Sequence, residues 1–308
     1  MTRAQLGAMV AAAVTLAASR PAAAFVRYLT DANAPFFWAQ ATVAITGYPN
    51  DFTQTTMTRD QVGAALAGAA AAWSKESDAC TYLELQTSLS DAPTPLATND
   101  GHNSLIFHDT TWCHVGASGA CNVEYDSSAL AVTTDTANTT TGQIYDADVE
   151  VNLVDAQWAD VVEDPNLGAD TDLQNALTHE LGHLIGLDHT CFDLLTSATG
   201  VRPYDNNGQP VPDCATASPE VQATTMFPSA NPGDIEKRTL APDDQNAVCT
   251  IYSVSNPPPP PDADVNGGCA QCAAAGGPPG GGELAALAAL TGLSLARRRR
   301  LRPAAPRR

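Results

Sequence analysis

The stretch HELGHLIGLDH, residues 179–189, decides how this chain is interpreted. Its first two histidines, His179 and His183, are four residues apart. On a helix they therefore lie on one face and can reach a single metal ion. Glu180 follows the first histidine and lies beside that face. The spacing predicts a helix that presents two metal ligands and one acidic group together.

Gly186 permits a sharp backbone turn where this helix ends, so that His189 can return as a third ligand. Three protein ligands leave a fourth position open for water, which is typical of a catalytic zinc site. Zinc lowers the pKa of water to about 7 and polarises a carbonyl group. Glu180 would then act as general base, taking a proton from water and passing it to a leaving amine.

Two capping boxes predict where the main helices begin. Thr171 with Gln174 precedes the helix that carries the histidines, and Thr58 with Gln61 precedes an earlier helix. Apolar residues recur at helical spacing after each box. In the earlier helix they are Val62, Ala65, Leu66, Ala69 and Trp73, and in the later one Leu173, Ala176, Leu177, Leu181 and Leu184.

Five segments have the composition of β-strands, and two of them are short runs at residues 81–86 and 104–108. Residues 36–45 predict a strand, and residues 129–134 with 143–153 predict a hairpin. One face of the second hairpin strand is acidic and the other is apolar. The acidic face is expected to be solvated, and calcium binding through its oxygen atoms is the alternative. Its residues are Asp146, Asp148, Glu150 and Asn152.

The run at residues 179–189 matches the metzincin signature, and residues 33–252 resemble the matrixin-like branch in the order of their segments. Residues 72–74, 129–152 and 240–252 carry that similarity besides the run itself. The resemblance implies an α/β metzincin fold. This fold has a twisted mixed β-sheet, an active-site helix and a loop-rich C-terminal subdomain. The implied activity is zinc-dependent hydrolysis of internal peptide bonds.

The segment TTMFP, residues 224–228, resembles the Met-turn of that family. The resemblance implies that Met226 lies beneath the metal and that the residues after it line the S1′ side of the substrate cleft. Two departures are evident. Thr190 stands where matrixins usually have serine, and the stretch between His189 and Met226 is long and contains two cysteines.

The other three histidines, His102, His108 and His114, follow one another at six-residue spacing. Some matrixins hold a structural zinc in this region, so a second zinc is one interpretation. The surrounding sequence lacks the family's Asp and Gly pattern. Ordinary surface or strand histidines are therefore favoured.

Six of the eight cysteines lie between residues 80 and 249 and predict disulfides in an exported chain. Six cysteines allow fifteen connectivities, among which the sequence alone does not choose. Short spacing favours the pairs Cys113–Cys121 and Cys191–Cys214. These two pairs would leave Cys80 to bond with Cys249.

The termini predict export and retention at the cell surface. Residues 1–24 have a charged start, a short apolar run and an A-x-A site, as in a secretory signal peptide. A catalytic domain over 25–254 precedes a Pro-rich linker at 255–268. Residues 269–308 resemble the sorting tail of myxobacterial surface proteins, with a Cys/Gly-rich motif, an apolar stretch and an arginine cluster. The resemblance implies membrane or cell-surface retention.

The net charge of −19 understates the acidity of the middle of the chain, because seven of the fifteen basic residues follow Ala296. Such a surface repels nucleic acid, and the metzincin resemblance implies protein or peptide substrates as partners. The oligomeric state stays open. A rival function from another class is a surface adhesion or binding module that keeps the zinc site as a structural remnant. Glu180 argues against it, because a structural site needs no acid/base residue.

Overall fold

The computed structural model describes most of the predicted catalytic domain and one strand of the tail. The described residues are 24–75, 79–116, 118–197, 199–257 and the backbone of Leu293–Arg297. The predicted signal peptide up to residue 23, most of the Pro-rich linker, and Cys269 and Cys272 lie outside them. The predicted boundaries at 24, 254 and 268 therefore stay predictions.

Four helices and thirteen strands make up the described chain. The helices are α1 Arg59–Trp73, α2 Leu173–Leu184, α3 Pro219–Gln222 and α4 Pro242–Ile251. The strands are β1 Val26–Arg27, β2 Thr42–Gly47, β3 Glu84–Leu89, β4 Asn103–His108, β5 Cys113–Val115, β6 Cys121–Glu124, β7 Ala129–Ala137, β8 Ile144–Asn152, β9 Trp158–Ala159, β10 Thr171–Asp172, β11 Leu187–Asp188, β12 Ser229–Ala230 and β13 Leu293–Arg297. Among these helices, none is long and apolar enough to cross a membrane.

Seven of the strands form one sheet in the order β12-β13-β7-β8-β4-β2-β3. Strand β7 is antiparallel to both of its neighbours, and the other neighbouring strands are parallel. Helices α1 and α2 contact each other and cover one face, α1 against β3 and α2 against β7 and β8. This is a twisted mixed sheet, so the α/β class is confirmed.

The first predicted capping box is confirmed at the start of α1. The Thr58 hydroxyl accepts a hydrogen bond from the Gln61 backbone N–H at 3.3 Å, and the Gln61 side chain accepts one from the Thr58 backbone N–H at 2.8 Å. All five residues of the predicted apolar spacing are buried. They pack in the main core between helix and sheet.

The predicted strand over 36–45 begins later than expected. Strand β2 starts at Thr42, and before it Phe37 forms only an isolated bridge to Gln143. The aromatic residues of this segment serve as core side chains instead, because Phe36 and Trp38 are both buried. Apolar composition alone did not separate a strand from a buried loop.

The predicted hairpin forms as β7 and β8, but the expectation of a solvated acidic face on β8 is wrong. Asp146, Asp148, Glu150 and Asn152 are each at most 3% exposed. Hydrogen bonds explain why polar side chains are tolerated there. The Ser104 backbone N–H donates to Asp148 at 2.9 Å, and the Asn152 side-chain amide donates to the Ala129 carbonyl at 2.9 Å.

Three disulfides connect the described chain, and they are the two pairs that short spacing favoured and the third pair that those two leave. Their Cα–Cα distances are 5.8 Å for Cys113–Cys121, 4.9 Å for Cys191–Cys214 and 5.2 Å for Cys80–Cys249. Disulfides suggest an oxidising, extracellular compartment. The third bridge fixes the end of α4 to the segment that follows α1.

Replacing both Cys191 and Cys214 with Ala is expected to lower the free energy of unfolding by about 3 kcal/mol, because the bridge closes a loop of 23 residues. The two cysteines pack in a small apolar cluster with Ala217 and Phe227, which lie outside this loop. Urea denaturation measures the change. The matched control replaces Cys113 and Cys121, whose separation of 8 predicts a loss about 1 kcal/mol smaller. An unchanged midpoint in the first variant would contradict the prediction.

Candidate metal centre

Helix α2 begins one residue later than the second capping box predicts. Its N-cap is Asp172, whose side chain accepts a hydrogen bond from the Asn175 backbone N–H at 2.8 Å. The predicted Thr171–Gln174 box is therefore wrong. Arg238 donates to both Asp172 carboxylate oxygens, from Nε at 2.8 Å and from Nη2 at 2.5 Å. A buried, paired carboxylate fixes the start of the helix better than a threonine could.

Two aromatic side chains hold the other end of α2. The Trp38 indole N–H donates to the Leu184 carbonyl at 2.8 Å, and the Tyr252 hydroxyl donates to the Ile185 carbonyl at 2.9 Å. The last carbonyls of a helix have no partner within the helix. These two contacts satisfy them inside the core, and the helix is thereby held at both ends.

Gly186 makes the turn that brings the chain back. Its φ of +92° is a conformation that residues with a side chain rarely adopt, and a Cβ atom there would lie 2.7 Å from the Phe36 carbonyl oxygen. Strand β11 follows, and His189 comes directly after it. The predicted role of Gly186 in the turn is confirmed.

The three histidines meet through their Nε2 atoms. The Nε2–Nε2 distances are 3.1 Å for His179–His183, 3.2 Å for His183–His189 and 3.3 Å for His179–His189. Among the described residues, this trio alone gathers as a group able to hold a metal ion. The helix spacing and the glycine turn therefore produce the convergence that the sequence predicts.

Backbone carbonyls fix which ring nitrogen of two histidines carries the proton. His179 Nδ1 lies 2.7 Å from the Thr225 carbonyl oxygen, and His183 Nδ1 lies 2.8 Å from the Leu187 carbonyl oxygen. A carbonyl can only accept, so both Nδ1 atoms donate. In the neutral rings, the Nε2 lone pairs then point toward the shared centre, as metal ligands require.

Burial keeps these rings neutral. It lowers the pKa of His179 and of His189 well below the usual value, and it lowers the pKa of His183 to about 4. Neutral imidazole is the form that binds a metal. Because the Nε2 lone pairs of His179 and His183 meet there without a proton between them, a cation at that point would relieve their repulsion.

The size of the trio fits a tetrahedral zinc. With zinc–nitrogen bonds of about 2.0–2.1 Å, tetrahedral geometry separates two ligand nitrogens by roughly 3.3 Å. The three observed separations are 3.1, 3.2 and 3.3 Å. A buried three-histidine group of this size can hold a metal ion without rearrangement.

Glu180 lies on the same helix and is held by the edge of the hairpin. The Thr133 hydroxyl on β7 lies 2.7 Å from Glu180 Oε2. Glu180 is fully buried, and a carboxylate is rarely fully buried unless it is paired. The contact orients its side chain between α2 and the sheet. A carboxylate held in this way can accept a proton and release it again.

Met226 lies under the histidine helix. A Cβ atom on Gly182 would come within 2.2 Å of the Met226 sulfur, so only glycine allows the helix to approach it this closely. The Met226 carbonyl accepts a hydrogen bond from the Thr190 backbone N–H at 3.3 Å. Met226 and the turn before it therefore support both His179 and the chain just after His189.

The other three histidines do not gather. His102 is exposed, while His108 and His114 contact opposite oxygens of Glu150, with His108 Nε2 at 2.7 Å and His114 Nδ1 at 3.0 Å. Although burial opposes ionisation, these contacts lower the pKa of Glu150. The Glu150 carboxylate lies between the two rings, so His108 on β4 and His114 on β5 are strand histidines that pair with a buried acid.

Sequence reasoning missed two residues close to the centre. The Tyr28 hydroxyl lies 3.4 Å from His183 Nδ1, and Lys237 is buried nearby. A signal existed for Lys237, because only six basic residues lie between positions 25 and 254 and it is one of an adjacent pair. Nothing in the local sequence around Tyr28 distinguishes it from a core aromatic residue.

Comparison with known proteins adds no relative. No protein-family model matches the chain, and a search of curated proteins finds no match. The geometry of the centre therefore carries the functional argument.

Proposed function

We propose that this protein is an exported zinc-dependent endopeptidase of the metzincin type. The observation that carries the proposal is the convergence of three neutral histidine nitrogens next to a buried glutamate. His179, His183 and His189 would hold the metal, and Glu180 would be the general base. Three ligands leave a coordination position open, which is typical of catalytic rather than structural zinc.

Bound zinc would supply Lewis acidity, which makes water more acidic and polarises the carbonyl group of the substrate. Glu180 takes the proton from the attacking water at a carboxylate oxygen and delivers it to the departing amine nitrogen. The Thr133 hydroxyl, 2.7 Å from Glu180 Oε2, keeps that carboxylate in place during both transfers. Burial of the histidines excludes bulk water from their side of the centre.

Strand β13 supports a peptide as the substrate class. Its backbone pairs antiparallel with β7 and parallel with β12, so an extended chain fits between these two strands. Leu293 lies opposite Thr133, the residue that contacts Glu180. A peptide bound by strand addition in this position would pass beside the general base.

The direct test is incubation of the full chain, loaded with zinc, with an unfolded protein and a peptide library. We expect internal cleavage that a chelator abolishes and that added zinc restores. A surface adhesion or binding module with a structural zinc site is the rival, and it predicts zinc binding without cleavage. Zinc-loaded protein that leaves every peptide intact, both as the full chain and after removal of residues 258–308, would favour the rival.

Removal of residues 258–308 is expected to raise kcat/KM for peptides, because Leu293–Arg297 occupies the groove that a substrate strand needs. The same removal tests the proposed sorting role of the tail, since it should also release the protein into the medium. Equal or lower kcat/KM in the shortened chain would contradict the first expectation. Equal secretion of both forms would contradict the second.

A further inference from the structure

Arg27, the last residue of β1, has no acidic partner within the described chain. It is one of only six basic residues between positions 25 and 254, in the acidic middle of the chain. Four of the other five form ion pairs with carboxylates, and these are Arg59, Lys75, Arg202 and Arg238. The charge of Asp244 acts on the fifth, Lys237. Among the described residues, Arg27 is therefore the cation that lacks a counter-charge.

The guanidinium of Arg27 uses only part of its hydrogen-bonding capacity, which is five N–H donors. Its Nη2 donates to the Phe36 carbonyl, and its Nε is buried without an acceptor in the described chain. Its Nη1 bonds to no described residue and is not buried, so it can meet a ligand. Burial lowers the pKa of Arg27, and the opposing influence comes from Tyr252. Burial also raises the pKa of Tyr252, so this phenol is neutral at neutral pH and supplies no counter-charge.

Arg27 lines a cavity of about 500 Å³. This volume lies within the range of pockets that hold small organic ligands, roughly 300–1,000 Å³. Pro35 and Phe37 flank the carbonyl that Arg27 holds and also line the cavity, so the guanidinium lies at its wall. The cavity is open to solvent, since three of its lining residues are exposed. They are Ala39, Thr141 and Asn256.

Aromatic and apolar side chains supply the rest of the wall that matters for a ligand. Trp38, Tyr82 and Ile251 line the cavity. The Trp38 indole N–H already donates to the Leu184 carbonyl, so its ring offers apolar surface only. Arg27 is the single basic residue among the described residues of this wall. One guanidinium beside aromatic rings suits a ligand with one negative charge and a flat apolar body, a carboxylate rather than a phosphate.

The hydrogen bond to Phe36 is the nearest competing explanation for Arg27. A Cβ atom on Gly186 would lie 2.7 Å from the same carbonyl oxygen, so Arg27 also helps to hold the chain against this turn. That bond occupies Nη2 alone and leaves the charge uncompensated. The buried carboxylate of Asp135 lacks hydrogen-bond partners in the described chain, but it acts on Tyr252 and is not among the groups that shift the pKa of Arg27. Neither residue therefore replaces a bound anion.

We propose that this cavity is a binding site for a monocarboxylate with an aromatic body, and that Arg27 binds the carboxylate through Nη1. The site is separate from the metal centre, because none of the three histidines lines the cavity. It does not depend on the proposed peptidase function. The carboxylate supplies the missing counter-charge and accepts the free N–H groups. Both free aromatic acids and the C-terminus of a peptide that ends in phenylalanine have this chemistry.

The experiment is an NMR titration of the full chain with two pairs of probes. The first pair is phenylpropionate and its neutral amide, and the second is acetyl-alanyl-phenylalanine with a free carboxylate or a C-terminal amide. At least one acid is expected to bind with a Kd about tenfold or more below that of its amide, since hydrogen bonds to charged groups contribute more than neutral ones. A difference in the first pair identifies a free acid as the ligand, and a difference in the second pair alone identifies a peptide terminus. The shifted backbone amides should centre on residues 35–39.

Arg27→Met should bring the Kd ratio of acid to amide to about 1 and keep the Kd of the amide within roughly threefold, because the neutral probe gains little from the cation. Arg27→Lys keeps the charge and should keep a preference for the acid. The matched control is Arg59→Met, which removes a positive charge that pairs with Asp91 on the surface and should leave the ratio unchanged. A lost ratio in Arg59→Met would assign the preference to overall charge and overturn the proposal.

The wild-type titration tests the proposal even if Arg27→Met does not fold. Equal binding of acid and amide in both pairs would overturn it. A titration of zinc-free protein tests whether the carboxylate binds a metal instead, and the ratio should persist there. Shifts that centre on residues 179–189 and vanish without zinc would assign the probe to the metal centre. Retention of the ratio by Arg27→Met would show that Arg27 is only a structural donor to Phe36.

Discussion

Glu180→Gln in the zinc-loaded protein is expected to lower kcat/KM for peptide hydrolysis by about 10²-fold or more, which is the size of a general-base contribution. Zinc content should not change, because the three histidine ligands are untouched. The amide keeps the shape of the side chain and can still meet the Thr133 hydroxyl, which lies 2.7 Å from Glu180 Oε2. It cannot accept the proton of the attacking water. The measurements are steady-state kinetics and metal analysis on the same samples.

Glu163→Gln is the matched control for this change. Glu163 is an exposed glutamate, so its replacement removes one carboxylate without touching the centre. Its kcat/KM should stay at the wild-type value. If Glu180→Gln kept kcat/KM within about tenfold of wild type, the loss would be smaller than a general base supplies and the mechanism would be wrong. Loss of zinc from the variant would show that Glu180 acts on the metal instead.

The histidine centre was predictable because the residues that form it lie close together in the sequence. A spacing of four residues on a helix, followed by a glycine turn, brings His179, His183 and His189 together with few alternatives. Gly186 does require a positive φ, and its missing Cβ leaves room for the Phe36 carbonyl. Helix α1 was predictable for the same reason, since its cap and its apolar side are set within sixteen residues, 58–73.

The acidic residues of β8 were misplaced because their partners are distant in the sequence. Alternation predicts two faces of a strand but does not tell which face is solvated. Glu150 is buried because His108 and His114 approach it from β4 and β5. Asp172 replaced Thr171 as the cap of α2 because Arg238, 66 residues away, pairs with its carboxylate. Neither pairing leaves a mark in the local sequence.

The environment of Lys237 could not be predicted from the local sequence either. Charge counting identifies a rare basic pair, Lys237–Arg238, in an acidic chain. Charge counting does not tell which of these two residues forms ion pairs with acidic side chains. Arg238 pairs with Asp160 and Asp172, whereas Lys237 turns toward the backbone near the metal centre. Within the described chain, only the fold shows that Arg238 is the member of the pair that forms these ion pairs.

Removal of zinc is expected to lower the free energy of unfolding by about 4 kcal/mol when free zinc stands near 1,000 times its Kd, because a ligand of the folded state stabilises by mass action. For a domain of this size, that loss lowers Tm by on the order of 10 °C. The centre joins α2 to the loop after β11, so its ligands cross-link segments that the fold otherwise holds through Met226 and Gly186. Calorimetry with zinc and with a chelator measures the shift.

His183→Ala should abolish the zinc-dependent part of this Tm shift, since two remaining ligands bind zinc much more weakly. His102→Ala is the matched control, because His102 is exposed and outside the trio. It should keep the full shift. The Tm difference between zinc and chelator is compared within each variant, so a general loss of stability from the cavity at His183 cancels. A zinc-dependent shift of wild-type size in His183→Ala would mean that the stabilising ion binds elsewhere, and the assignment of the centre to these three histidines would then be wrong.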